Sequence, residues 1–310
     1  MRGRATARTL GPVTSTPARK RTTTVRRSWI YGVLALLIGG CMPRTLAELL
    51  FLRPHSDPVR DIPYGSDARQ RLDLYRPKPG RERAPVIVFL YGGRWQHGSK
   101  RDYRLLAEAI TGRGFIAVVP DYRLYPAVGF PDWIEDAARA VRWVHDSIGP
   151  LGGDPENVVV VGHSSGAHTA ALLALDERYL RNAGLHPTAV RGFVSLAGPV
   201  ATEWTDPDVR ALMAPRKQWA LTYPMEQVDG SEPPLLLLHG GKDRVVAPGS
   251  SLRLASRIRD RGGCTAVKMY SGLGHVGIVI ALSLSQINIA PVLDEVIRFA
   301  RRPTSICGPG

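Results

Sequence analysis

VVVVGHSSGAHTAAL, residues 158–172, decides how the rest of the chain is read. Four valines running into a glycine have the composition of a strand buried on both faces. From Ser165 onward the residues are small and helix-compatible. Between the two lies Gly162-His163-Ser164-Ser165-Gly166, a G-x-S-x-G at a strand-to-helix turn. So sharp a turn lifts its central side chain above the sheet edge, and the glycines let strand and helix approach closely. Ser164 is therefore the candidate nucleophile, and Ser165 matters chiefly for its backbone N–H. His163 precedes the apex, so its side chain should point away from Ser164. His168 lies one helical turn on and should lie down the helix. Neither neighbour is the base of choice.

Working outward, strand-like and helix-like segments alternate. Residues 60–64 and 71–75 read as short strands, with Gly65 and Asp67 in the turn between them. The apolar runs at 85–91, 115–120, 190–196 and 234–239 read as strands, as does 266–270. Apolar spacing marks a helix at 102–111, small residues mark one at 165–175, and 250–261 and roughly 289–301 also read as helices. In 132–147, Ile134, Ala137, Ala138, Val141 and Val144 share one face. Such alternation implies an α/β fold, a mostly parallel central sheet with helices on both faces. Sites in these sheets form beyond the carboxyl ends of the strands. Residues 199–232 carry Trp204, Trp219, Tyr223 and Met225 without clear periodicity, and read as a small cap or lid. The apolar stretch 276–284 is open between core and a self-association face.

A serine hydroxyl is a weak nucleophile and needs a base oriented by a third group. In this architecture the chain order is Ser, then Asp or Glu, then His. Asp243 follows the strand at 234–239, in Gly-Gly-Lys-Asp. His275 sits in Gly-Leu-Gly-His, after the last strand. A glycine-rich loop can carry the His275 imidazole over Ser164 while Asp243 holds its other nitrogen. Backbone donors for an oxyanion come from Ser165 N–H and from the loop Tyr91-Gly92-Gly93-Arg94-Trp95, where Gly92 and Gly93 are the candidates. Arg94 and Trp95 are candidate pocket residues. Arg94 would favour anionic or polar substrates.

The 310 residues suffice for one large α/β domain. The net charge of +14 comes mostly from a leader: eight Arg and Lys precede Trp29, and the first acidic residue is Glu48. Without those eight the chain holds 33 basic residues against 27 acidic, and no nucleic-acid-binding motif accompanies the charge. Residues 1–40 read as a basic leader and export signal, with an apolar run at 29–40 too short to span a bilayer. Residues 41–58 read as anchor and linker, 59–302 as the catalytic domain, and 303–310 as a tail. Cys264 and Cys307 could pair in an exported protein, but spacing carries no geometry. Three cysteines without a CxxC offer no metal site, and no cofactor is expected.

YGGRW, DYRLYP, GGDP, GHSSGAH, HGGKD and GLGHVG occur in this order. Together they resemble the bacterial carboxylesterases of the α/β-hydrolase superfamily, in the feruloyl-esterase-like and hormone-sensitive-lipase-like branch. The resemblance runs from about residue 60 to 300. It implies the triad Ser164, Asp243 and His275, and an acyl-enzyme route to hydrolysis of small or short-chain esters. Amidase, arylformamidase or peptidase chemistry on the same triad is the alternative, and a non-catalytic binding protein of this fold is a third reading. Tyr91 departs from the branch, which often has histidine before the glycines, so the bonding that fixes the loop is open. Ile38-Gly39-Gly40-Cys41 resembles the lipobox of bacterial lipoproteins. It implies Cys41 as a lipid anchor to a membrane and a place in the cell envelope.

Overall fold

The computed structural model describes residues 56–78, 83–200 and 203–307. The readings of 1–40 as leader, of Cys41 as anchor and of most of the linker lie outside the described residues.

Eight strands form one sheet: β1 (Ser56–Pro63), β2 (Arg71–Pro77), β3 (Ala84–Leu90), β4 (Ile116–Pro120), β5 (Gly153–His163), β6 (Gly192–Leu196), β7 (Leu235–Gly240) and β8 (Thr265–Tyr270). Their spatial order is β1-β2-β4-β3-β5-β6-β7-β8. The pairings of β2 with β1 and with β4 are antiparallel, and all the others are parallel. The inner parallel strands are apolar on both faces because helices cover both, whereas the edge strand β8 exposes Lys268 and Met269. Every residue of β4, β6 and β7 is buried, as are Val158–His163 in β5.

The helices are α1 (Arg104–Thr111), α2 (Asp132–Ser147), α3 (Ser165–Leu175), α4 (Arg178–Asn182), α5 (Pro207–Leu212), α6 (Gly249–Asp260), α7 (His275–Ser283) and α8 (Val292–Arg301). On one face α1, α7 and α8 pack together. On the other, α2 lies against α3, and α6 against β7 and β8. The apolar stretch left open at 276–284 is most of α7, seated on α1, α8 and β7. No helix among the described residues is long and apolar enough to cross a membrane.

The segment at 199–232 holds α5 and two 3-10 turns, Arg216–Thr222 and Pro224–Gln227, the second packed on α3 and α6. Asp206 caps α5 by accepting the Asp208 N–H. Within the tail at 303–310, Pro303–Ile306 form a 3-10 turn. A disulfide from Cys307 to Cys264 ties that turn beside β8.

Candidate active site

β5 ends at His163 and α3 begins at Ser165, leaving Ser164 alone at the apex with φ 54° and ψ −120°. Few side chains tolerate that backbone. The surrounding packing enforces it, with Ser164 N–H donating to Leu196 O at 2.9 Å. The elbow glycines answer to close approach: a Cβ on Gly162 would come 2.2 Å from Gly166 O, and one on Gly166 2.2 Å from Leu90 O.

His275 Nε2 lies 2.8 Å from Ser164 Oγ, and His275 Nδ1 lies 2.8 Å from Asp243 Oδ2. The three residues come from the ends of β5, β7 and β8, adjacent in the sheet but for β6. Two bonds pin the loops to one another: Lys242 N–H to Leu273 O at 2.8 Å, and Gly241 N–H to Tyr270 O at 2.8 Å. The Asp243 side chain has no exposed surface, and its Oδ1 accepts the N–H groups of Val245 and Val246 at 2.8 and 2.9 Å. Burial alone would push this carboxyl upward. Hydrogen bonds from His239 and His275 outweigh it and hold the acid well below the ordinary carboxylate range.

His163 neighbours His275. Its ring lies 5.0 Å from that of His275, and its Nε2–H donates to His275 O at 3.1 Å. The returning loop at 272–275 crosses the end of β5 and meets it there. Burial, reinforced by the neighbouring His275, pushes the His163 imidazole down to about 4. His168 lies inward on α3, donates from Nε2 to Thr222 O at 2.7 Å, and is also pushed down to about 4 by burial.

The loop after β3 is held by its first residue. Tyr91 stacks between Tyr103 and Tyr122, with ring centroids 5.5 and 4.7 Å away. Its hydroxyl donates to Asp121 Oδ1 at 2.8 Å and accepts from Arg69 Nη2 at 3.0 Å. Tyr122 OH in turn donates to Tyr91 O at 2.6 Å. This network, absent from any sequence pattern, fixes the loop. Gly92 brings its bare Cα against the site, where a Cβ would meet Ser164 Cβ at 2.9 Å. Among the described residues the N–H groups of Gly92, Gly93 and Ser165 donate to no backbone acceptor, which leaves them able to receive an oxyanion.

Arg94 and Trp95 do not form an open pocket wall. Trp95 is buried, with its ring 5.1 Å from His168, 5.8 Å from Trp204 and 5.9 Å from Trp133. It packs oxyanion loop, cap and α3 together. The Arg94 guanidinium turns to the cap and bonds Asp206 at 2.8 Å. Among the described residues no group of three or more His, Cys, Asp or Glu is arranged to hold a metal ion.

The arrangement can deprotonate a serine, hold the resulting imidazolium against a carboxylate, and meet a developing oxyanion with backbone N–H groups. A family model described as BD-FAE matches residues 72–258. The chain is 32% identical over 271 residues to Esterase LipQ of Mycobacterium tuberculosis, covering 79% of this chain and 63% of that protein. It is 26% identical over 275 residues to the probable isoprenylcysteine alpha-carbonyl methylesterase ICME of Oryza sativa subsp. japonica, covering 81% and 66%. It thus spans just under two thirds of these relatives' length. Among solved structures, esterase B of Lactobacillus rhamnosis superposes with a TM-score of 0.70 at 20% identity, covering 90% of this chain and 94% of that one. At that identity the likeness speaks to the fold.

Proposed function

The chain belongs to the BD-FAE family of α/β-hydrolases, and we propose that it is a serine carboxylesterase working through an acyl-enzyme. The observation that carries this reading is the unbroken line from Ser164 Oγ through His275 to Asp243, each contact 2.8 Å.

His275 Nε2 takes the Ser164 proton as Oγ attacks the ester carbonyl. The N–H groups of Gly93 and Ser165 receive the oxyanion. Asp243, fixed as a carboxylate, steadies the imidazolium. His275 then protonates the leaving alcohol, the acyl group stays on Ser164, and a water activated by His275 releases the acid. A cap built from one six-residue helix and two 3-10 turns, interlocked through buried Trp95 and Trp204, favours small or short-chain esters.

Hydrolysis of p-nitrophenyl esters of graded chain length, wild type beside Ser164→Ala, tests the proposal. The wild type should prefer short acyl chains, and Ser164→Ala should lose on the order of 10⁴-fold or more in kcat. Undiminished hydrolysis by Ser164→Ala would refute the serine mechanism. A wild type inert on esters but active on anilides or formamides would move the assignment to amide chemistry.

Export and lipidation at Cys41 belong to the same proposal. The Cys264–Cys307 disulfide supports an oxidising compartment. Mass spectrometry of the mature protein should find a lipidated N-terminal Cys41, and an intact leader would refute it.

A further inference from the structure

His239 is the penultimate residue of β7 and has no exposed surface. Its Nε2 lies 3.1 Å from Val246 O and 3.2 Å from Asp243 Oδ2. A carbonyl and a carboxylate only accept, so Nε2 carries the proton. Nδ1 is then an acceptor, and Ser251 Oγ on α6 donates to it at 2.7 Å. Bonds on both sides thus select one neutral tautomer. Asp243 Oδ2 receives the His275 N–H and stands 3.2 Å from the His239 Nε2–H, which it shares with Val246 O, while Oδ1 receives the N–H groups of Val245 and Val246. Four N–H groups thus surround the carboxylate.

We propose that His239 is a positioning residue for catalysis, whose Nε2–H clamps Asp243 and shares the oxygen on which His275 leans. The proposal rests on Ser164, His275 and Asp243 being the working triad. Sharing Oδ2 has an electronic consequence as well as a geometric one. Charge drawn towards the His239 N–H is withheld from His275, so the imidazolium is stabilised without being trapped. Once the His239 donor is gone, Oδ2 holds the imidazolium harder, and the base stays protonated to higher pH. The groups facing His275 are Ser164 and His163 from the end of β5, and Asp243 with His239 behind it from β7. Lys242 and Arg244 flank Asp243 but are exposed.

The test compares the pH dependence of kcat/KM on a p-nitrophenyl ester for wild type, His239→Leu and His239→Gln, with Ser164→Ala as control. Leucine removes the donor, and glutamine restores an N–H near the place of Nε2. His239→Leu should lose on the order of tenfold or more in kcat, with the acidic limb moved to higher pH. His239→Gln should return the limb to its wild-type place. A folded His239→Leu with an unmoved limb overturns the proposal, as does an equal limb shift in both variants. Should His239→Leu not fold, ¹⁵N NMR of the wild type at pH 8 decides. The Nε2–H tautomer supports the clamp, and the Nδ1–H tautomer overturns it. Activity surviving in Ser164→Ala would fell the triad reading and this proposal with it. A dead Ser164→Ala beside an unmoved His239→Leu limb fells this proposal alone.

Discussion

Two buried histidines with no ion-pair partner among the described residues make the fold sensitive to mild acid, and the size of the effect follows from their surroundings. His163 and His168 are both pushed from about 6.5 to about 4, chiefly by burial. In the unfolded chain each ring is free to take up a proton near its ordinary value. As pH falls from 6.5 towards 4 the unfolded state therefore binds more protons than the native state, and native stability declines. Above 6.5 neither state gains a proton there and the full stability is present. At pH 5 the linkage amounts to about 2 kcal/mol per histidine, hence about 4 kcal/mol for the pair. That is a large share of the ~5–15 kcal/mol that usually holds a domain together. Carboxylates with depressed values add little at pH 5, because their loss begins near 4. The measurement is urea unfolding, disulfide intact, at pH 7.5 and pH 5 for wild type and His168→Gln. Glutamine keeps an N–H donor for Thr222 O but takes up no proton. The wild type should lose about 4 kcal/mol between the two conditions and the variant about 2. A wild-type loss below about 1 kcal/mol, or a variant as acid-sensitive as the wild type, would refute the reasoning.

Other perturbations separate packing from chemistry. Gly92→Ala drives a methyl to 2.9 Å from Ser164 Cβ and 3.1 Å from His163 Nδ1, so kcat should fall about a hundredfold with the fold retained. Steady-state kinetics beside a thermal melt will show this, and a wild-type kcat would contradict it. Cys307→Ser opens a loop of sequence separation 43. Its loss should cost about 4 kcal/mol by chain entropy, read by denaturant midpoint, and a cost below about 1 kcal/mol would show the staple to be idle. Arg94→Ala should leave the ratio of kcat/KM for charged over neutral esters unchanged, because Asp206 already holds the guanidinium. A fall in that ratio would return Arg94 to the substrate.

The elbow was legible because its signal is local. A β-branched run, a glycine-flanked serine and a small-residue helix lie within fifteen residues; α2 falls at the bounds its periodicity marks, and α3 at those its small residues mark. α7 was not, since a helix apolar on every side has no period to read, and only its seat between α1, α8 and β7 gives it a face. β5 starts at Gly153, five residues before its valines, because Ala84 pairs with Gly153 past a bulge that polar residues conceal. The Cys264–Cys307 pairing, the contact of His163 with His275 and the bonds of Tyr91 all join residues far apart in the chain. Spacing along one sequence has no term for such meetings. Arg94 and Trp95 were found by proximity to the oxyanion loop, and left-handed backbone at both turns them to the cap and core.

Tyr91 removes one source of acid response from the loop at 91–95. Burial raises its phenol well above 10, so the side chain that braces the loop keeps its proton throughout the range in which ester hydrolysis is measured. A histidine in that seat would be a second ring able to change charge near neutrality, and the loop's shape would drift with acidity. With tyrosine the brace under the loop keeps one charge across that range.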